Sequence, residues 1–212
     1  MTSKRGREPS RQAKVGAASR LETRNRLLQA AAEEFATHGY VGATVSRIAK
    51  SAGVTVQTLY LAWGSKRALL RAHMTDSLGR AFGSPDDVAG LFVGNTGREV
   101  TAKLAMLVGK TAEIAGTAWQ LHRDAAATDP EIAADWNQLQ LMRRGTIGRI
   151  LAHIPDESLR AGLSREAAID TAWLIAGPES YELLVLRGGY SFDQFVSWMD
   201  ATLTASLLRS AG

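Results

Sequence analysis

Residues 44–66 read TVSRIAKSAGVTVQTLYLAWGSK, and the fold turns on this stretch. Thr44 is placed to cap a short helix through Ser51, and Ala52-Gly53-Val54 makes a tight turn. Thr55 then caps a second short helix ending near Ala62. Two short helices joined by a brief turn containing glycine describe a helix-turn-helix. Ala49 is small where the helices must approach, Gly53 sits where a left-handed backbone is needed, and Ile48, Val54 and Leu59 supply the apolar wedge. The second helix carries Gln57, Thr58 and Tyr60 outward and stops at Gly64-Ser65-Lys66. A surface of hydrogen-bonding tips followed by a basic helix start calls for a polar partner.

Upstream, Leu27, Leu28, Ala31 and Phe35 recur at helical spacing between Leu21 and His38, and Gly39 supplies a C-terminal stop. Residues 1–20 are rich in Lys, Arg, Ser, Gly and Ala without periodicity, the composition of a disordered basic arm. Charge follows the same division. Residues 1–72 hold 13 Lys and Arg against 4 acidic residues, net +9, whereas residues 73–212 hold 12 against 17, net −5. Positive charge clustered on a structural motif is the footprint of a polyanion binder, because neutralising phosphates releases condensed counterions.

The run ETRNRLLQAAAEEFATHGYVGATVSRIAKSAGVTVQTLYLAWGSKRALLRA resembles the DNA-binding domain of the tetracycline-repressor (TetR-type) transcriptional regulators. The resemblance rests on Phe35, Gly39, Thr44, Ile48, Ala49, Gly53, Val54, Leu59, Tyr60 and Lys66 taken together, and covers about the first third of the chain after the arm. It implies an all-α fold, with an N-terminal three-helix DNA-binding domain and a C-terminal helical domain for effector binding and dimerisation. The implied partners are double-stranded operator DNA, a second copy of the chain and a small hydrophobic effector. On that basis the helix after Thr55 enters the major groove, with Thr55, Gln57 and Thr58 near base edges. Gln57 is the candidate for bidentate pairing with adenine. Tyr60 and Thr44 are expected on backbone phosphates, Ser46 and Arg47 belong to the same DNA-facing set, and Lys66 is expected to complete a phosphate clamp at a helix start. Two positions depart from the family pattern. Leu61-Ala62-Trp63 stands where many members place a basic or aromatic residue and then His, and Arg67 replaces the acid that commonly follows the lysine.

Beyond residue 72 periodicity is the guide. Ile132, Trp136, Leu139, Ile147, Ile150 and Ile154 form one apolar stripe, with Arg143 in its middle. Leu104, Leu107, Ile114 and Ala118 align with Thr111 and His122 in a run expected to break near Gly116. A further helical run, residues 164–187, contains Trp173 and is interrupted at Gly177-Pro178, and Phe192, Phe195, Val196, Met199, Leu203 and Leu207 form a last stripe. Polar groups on otherwise apolar helices suit either a ligand pocket or a buried salt bridge. The pocket set would be Trp119, His122, Trp136, Leu139, Arg143 and Trp173.

The expected organisation is therefore an arm over 1–20, a DNA-binding domain over 21–66 and an effector and dimerisation domain over 67–212. The chain contains no cysteine, and its four histidines show no paired ligand spacing, so no metal or cofactor is expected. No nucleophile, base and orienter can be placed together, which argues against an enzyme. The N-terminus lacks the apolar region of a secretory signal and no run is long enough to span a bilayer, so a cytoplasmic protein is expected. The alternative to a ligand-released repressor is a DNA-binding dimer whose C-terminal domain senses nothing, and a solid core there would favour it.

Overall fold

The computed structural model describes residues 11–83, 88 and 90–209. Among these the fold is all-helical, and the chain divides into two compact units between His73 and Met74.

The first unit contains α1 (Arg11–Gly42), α2 (Val45–Ser51), α3 (Val56–Trp63) and the start of α4 (Lys66–Phe82). Half of the expected arm, residues 1–10, lies outside the described residues. Residues 11–20 are the first turns of α1 instead of an aperiodic segment. Ala, Arg, Gln and Lys are good helix formers, so this exposed stretch extends the packed helix behind it. Thr44 and Thr55 cap α2 and α3 as their positions predict, their hydroxyls accepting from the N–H of Arg47 and Thr58. The turn between them is a Schellman motif: the Val54 N–H donates to the Ala49 carbonyl at 2.9 Å and the Gly53 N–H to Lys50 at 3.1 Å. Gly53 holds φ at +67°, which a side chain would resist. Leu27, Phe35, Ile48, Leu59 and Leu69 are fully buried and tie the four helices together.

The second unit is built on α5 (Gly97–Ala126) and α6 (Pro130–Leu151), followed by α7 (Arg165–Ile175), a short turn α8 (Pro178–Tyr181) continuing as π-helix over Glu182–Arg187, and α9 (Phe192–Leu207). Each long helix starts on a readable signal. Thr96 and Glu99 form a capping box on α5, Asp129 with Pro130 opens α6, and Ser191 with Gln194 boxes α9. The break at Gly177-Pro178 is where proline demanded it, but α5 runs unbroken through Gly116, and Ile114 is exposed rather than buried. One glycine in a thirty-residue helix costs only about 1 kcal/mol, less than the packing of either half contributes. The core stacks the α9 stripe of Phe195, Met199, Leu203 and Leu207 on Val100, Leu104 and Ala105 of α5 and on Ile150, Leu151 and Ile154. Gly109 lets α9 approach α5, since a Cβ there would meet the Phe192 ring at 2.9 Å. Leu208 closes this core, held by a bridge to Leu159.

Candidate functional site

In the first unit the outward face of α3 carries Gln57, Tyr60 and Leu61. The Gln57 side chain is exposed and makes no hydrogen bond among the described residues, and Tyr60 is about half exposed. Leu61 lies one turn beyond Gln57 on the same face and is 82% exposed, an apolar tip among polar ones. The other expected residues are partly committed to the fold. The Thr55 and Thr58 hydroxyls lie 2.9 Å apart, and Thr55 also accepts from the Thr58 N–H at 3.1 Å. Thr44 spends its hydroxyl on the α2 cap, while its N–H donates to Glu34 Oε1 at 3.1 Å. Ser46 is exposed in the first turn of α2.

Arg47 and Lys66 differ most from expectation. The Arg47 Nε donates to Glu34 Oε1 at 2.5 Å, and its terminal nitrogen reaches the Gly42 carbonyl. Partial burial raises the Glu34 pKa, but the Thr44 N–H and the Arg47 guanidinium outweigh it and hold the carboxylate below its ordinary range. Lys66 is turned inward. Its ammonium donates to the carbonyls of Tyr40 at 2.8 Å and Ala43 at 2.9 Å, and lies 4.3 Å from the Tyr40 ring centroid. Those carbonyls belong to the last turn after Gly39, where helix carbonyls lack partners and carry negative partial charge, so the half-buried ammonium is held there. The sequence also concealed the role of Trp63. Its indole N–H donates to the Arg24 carbonyl at 3.3 Å, the Arg24 guanidinium stacks 3.8 Å above its ring, and Arg24 returns a hydrogen bond to Ala62. This clasp joins both ends of the recognition unit, α1 to the C-terminus of α3.

Residues 27–73 match the family profile described as "Bacterial regulatory proteins, tetR family". These residues form a TetR-type DNA-binding domain. The family is one of regulatory proteins, and the matched segment coincides with the helix-turn-helix unit just described. Over 56 residues the chain is 46% identical to the uncharacterized HTH-type transcriptional regulator YdgC of Bacillus subtilis, a match spanning 26% of this chain and 29% of that relative's length. The fold extends further. NalD, the secondary repressor of the MexAB-OprM multidrug efflux pump in Pseudomonas aeruginosa, superposes with a TM-score of 0.71 at 17% identity, covering 92% of this chain and 100% of that one. A TetR transcription regulator from Haloarcula marismortui gives 0.66 at 19% identity, with 87% and 98% covered. No helix among the described residues is long and apolar enough to cross a membrane.

The second unit holds a half-open cavity of about 370 Å³ lined by α4, α5 and α6, with Ala176 and Pro178 also on its wall. Its walls are apolar, Leu78, Phe82, Leu104 and Ile147 among them. Of the expected pocket residues, Trp119, Leu139 and Arg143 line it. The other three stand behind the wall. Trp136 leans edge-on against Trp119 with centroids 4.7 Å apart, and the buried His122 ring lies 6.1 Å from Trp136. Trp173 flanks Arg143 from α7, and its indole N–H finds no acceptor among the described residues. The sequence stripe identified the buried face of α6 but not which of its large rings pack on each other instead of on a hollow.

Arg143 is largely buried, and burial, only partly opposed by Glu179, pushes its pKa down to about 10. The guanidinium is held between the rings of Trp119 and Trp173, at 5.8 and 5.4 Å. One terminal nitrogen donates to the carbonyls of Trp173 at 2.9 Å and Ala176 at 3.3 Å, completing the C-terminus of α7, and Nε donates to Gln140 at 3.2 Å. A carboxylate partner is the ordinary expectation for a buried Arg. The structure gives Asp170 to Arg144 and Glu182 to Arg123 and Arg187 instead.

Proposed function

We propose that this regulator is a homodimeric repressor released from its operator by a small, mainly apolar ligand held in the second unit. The observation that carries this reading is the cavity of about 370 Å³, within the range of small-molecule sites and lined almost throughout by apolar side chains. A domain that served only to dimerise would have no use for a hollow whose filling would add stability. On the DNA side, Gln57 reads a base edge, Tyr60 anchors a phosphate, and Ser46 and the Thr44 cap approach the backbone. Net charge of the first third, +9, supplies the sequence-independent attraction. A single recognition helix makes few base contacts, so two copies bind a near-palindrome with half-sites about 34–36 Å apart or slightly more. The exposed apolar side chains Leu174, Leu183 and Leu186, on α7 and the π-helical segment, support a dimer surface in this region. Release follows from α4, whose residues Met74, Leu78 and Phe82 line the cavity and whose first residue, Lys66, holds the end of α1. A ligand that prefers one setting of α4 shifts the population of DNA-binding conformers.

The test is binding-site selection followed by ligand-dependent release, compared between the native chain and Gly116→Leu. Gly116 lines the cavity and has nothing within 4 Å of an added Cβ, so leucine fills space without strain. The variant should bind operator normally and resist release. Release that is unchanged in Gly116→Leu would move the effector elsewhere.

A further inference from the structure

The chamber has one charged wall. Arg143 is the charged side chain lining it among the described residues, and its second terminal nitrogen makes no hydrogen bond among them. The neighbouring carboxylates are engaged elsewhere: Glu166 and Asp170 with Arg144, Glu182 with Arg123 and Arg187, and Glu179 with the Trp119 indole N–H at 3.1 Å. Of the chamber's three threonines, Thr111 and Thr146 donate back to their own helices, at 2.7 and 3.0 Å. What remains facing the hollow is a planar, cationic donor at one point of an otherwise apolar space. A neutral hydrophobic ligand would strip water from this guanidinium and add no anion, leaving only the partial compensation that Glu179 gives. A carboxylate would supply the anion in the geometry a guanidinium recognises best.

We propose that the effector is an amphipathic monocarboxylate, its head on the free edge of Arg143 and its apolar body along Leu78, Leu104 and Ile147. This rests on the reading of the cavity as an effector site. A methylene takes about the same room as a water's share of liquid volume, about 30 Å³. The cavity of about 370 Å³ therefore holds on the order of a dozen heavy atoms. Medium-length fatty acids and arylalkanoic acids have that size and polarity.

The experiment measures direct binding to the full chain by calorimetry and by intrinsic tryptophan fluorescence, with decanoate, methyl decanoate and decylamine as probes. Decanoate is expected to bind about ten- to a hundredfold more tightly than either analogue. In Arg143→Gln the amide can still donate to the Trp173 or Ala176 carbonyl, and acid and ester should bind alike. Equal binding of acid and ester to the native chain, or preference for the amine, overturns the carboxylate inference while leaving the effector site intact. If none of the three binds, and phenylbutyrate and its methyl ester also fail, the reading of the cavity falls and the inference with it. Should Arg143→Gln fold poorly, the acid-to-ester ratio on the native chain decides alone.

Discussion

Replacing Lys66 by Met separates two jobs that the same lysine could hold. In the structure its ammonium is bonded to the carbonyls of Tyr40 and Ala43 and stacked on the Tyr40 ring. Charge-assisted hydrogen bonds contribute about 1.5–3 kcal/mol each when buried, and an exposed cation–π contact about 0.5–1 kcal/mol. Lys66 is only half-buried and water would reach both carbonyls after truncation, so the net loss should be about 2 kcal/mol. That is roughly a thirtyfold increase in local opening, read as faster amide exchange in α2 and α3 under native conditions. Because the ammonium faces inward, the salt dependence of DNA binding should keep its slope even as affinity falls. A phosphate clamp predicts the opposite pair of results: unchanged exchange, and a slope shallower by about 0.9 for each protomer. That pair of results would refute the inward role.

The remaining expectations concern both units. Gln57→Ala should relax base preference at one position of a selected site by about 1–3 kcal/mol, and an unchanged consensus would remove Gln57 from base readout. Leu61→Ala should weaken preference for thymine at a neighbouring position, where an apolar tip meets the C5-methyl group, with selection sequencing as the check. Gly53→Ala, forced to φ +67°, should destabilise the first unit by about 1–2 kcal/mol in urea unfolding. Glu34 contributes stability that is complete above its ordinary pKa of 4.5 and is lost as pH falls through its lower folded value. Amide exchange at Thr44 should therefore accelerate below about pH 4.5 in the native chain but show no such step in Glu34→Gln.

The helix-turn-helix could be read almost to the residue because its determinants are local. A threonine cap, a glycine in the left-handed region and an apolar wedge act within a few residues of each other, and each appears in the structure where the sequence puts it. Phosphate and base contacts are harder, because an exposed tip and an inward-turned one look alike in sequence. Resemblance puts Lys66 and Arg47 on the DNA-facing side, and both also answer to partners outside their own helices: Tyr40 and Ala43 for one, Glu34 for the other. The Arg24–Trp63 clasp is of the same kind, spanning 39 residues.

In the second unit, periodicity told which faces are buried but not what they bury against. The α6 stripe runs from Ile132 to Ile154, and its members divide between solid core, ring-on-ring packing and the hollow, a distinction set by α4, α5 and α7 together. Arg143 shows the consequence. Its position on an apolar stripe is a local fact, and a salt bridge is its ordinary explanation. That explanation needs a carboxylate within reach, and the four acids of residues 165–187 are each held by another donor: two by Arg144, one by Arg123 and Arg187, one by Trp119. The fold instead partners Arg143 with two helix-end carbonyls, one amide and two aromatic faces, none of them bearing a full charge. A cation so held keeps an unmet demand for an anion, and the hollow is the side from which one can arrive.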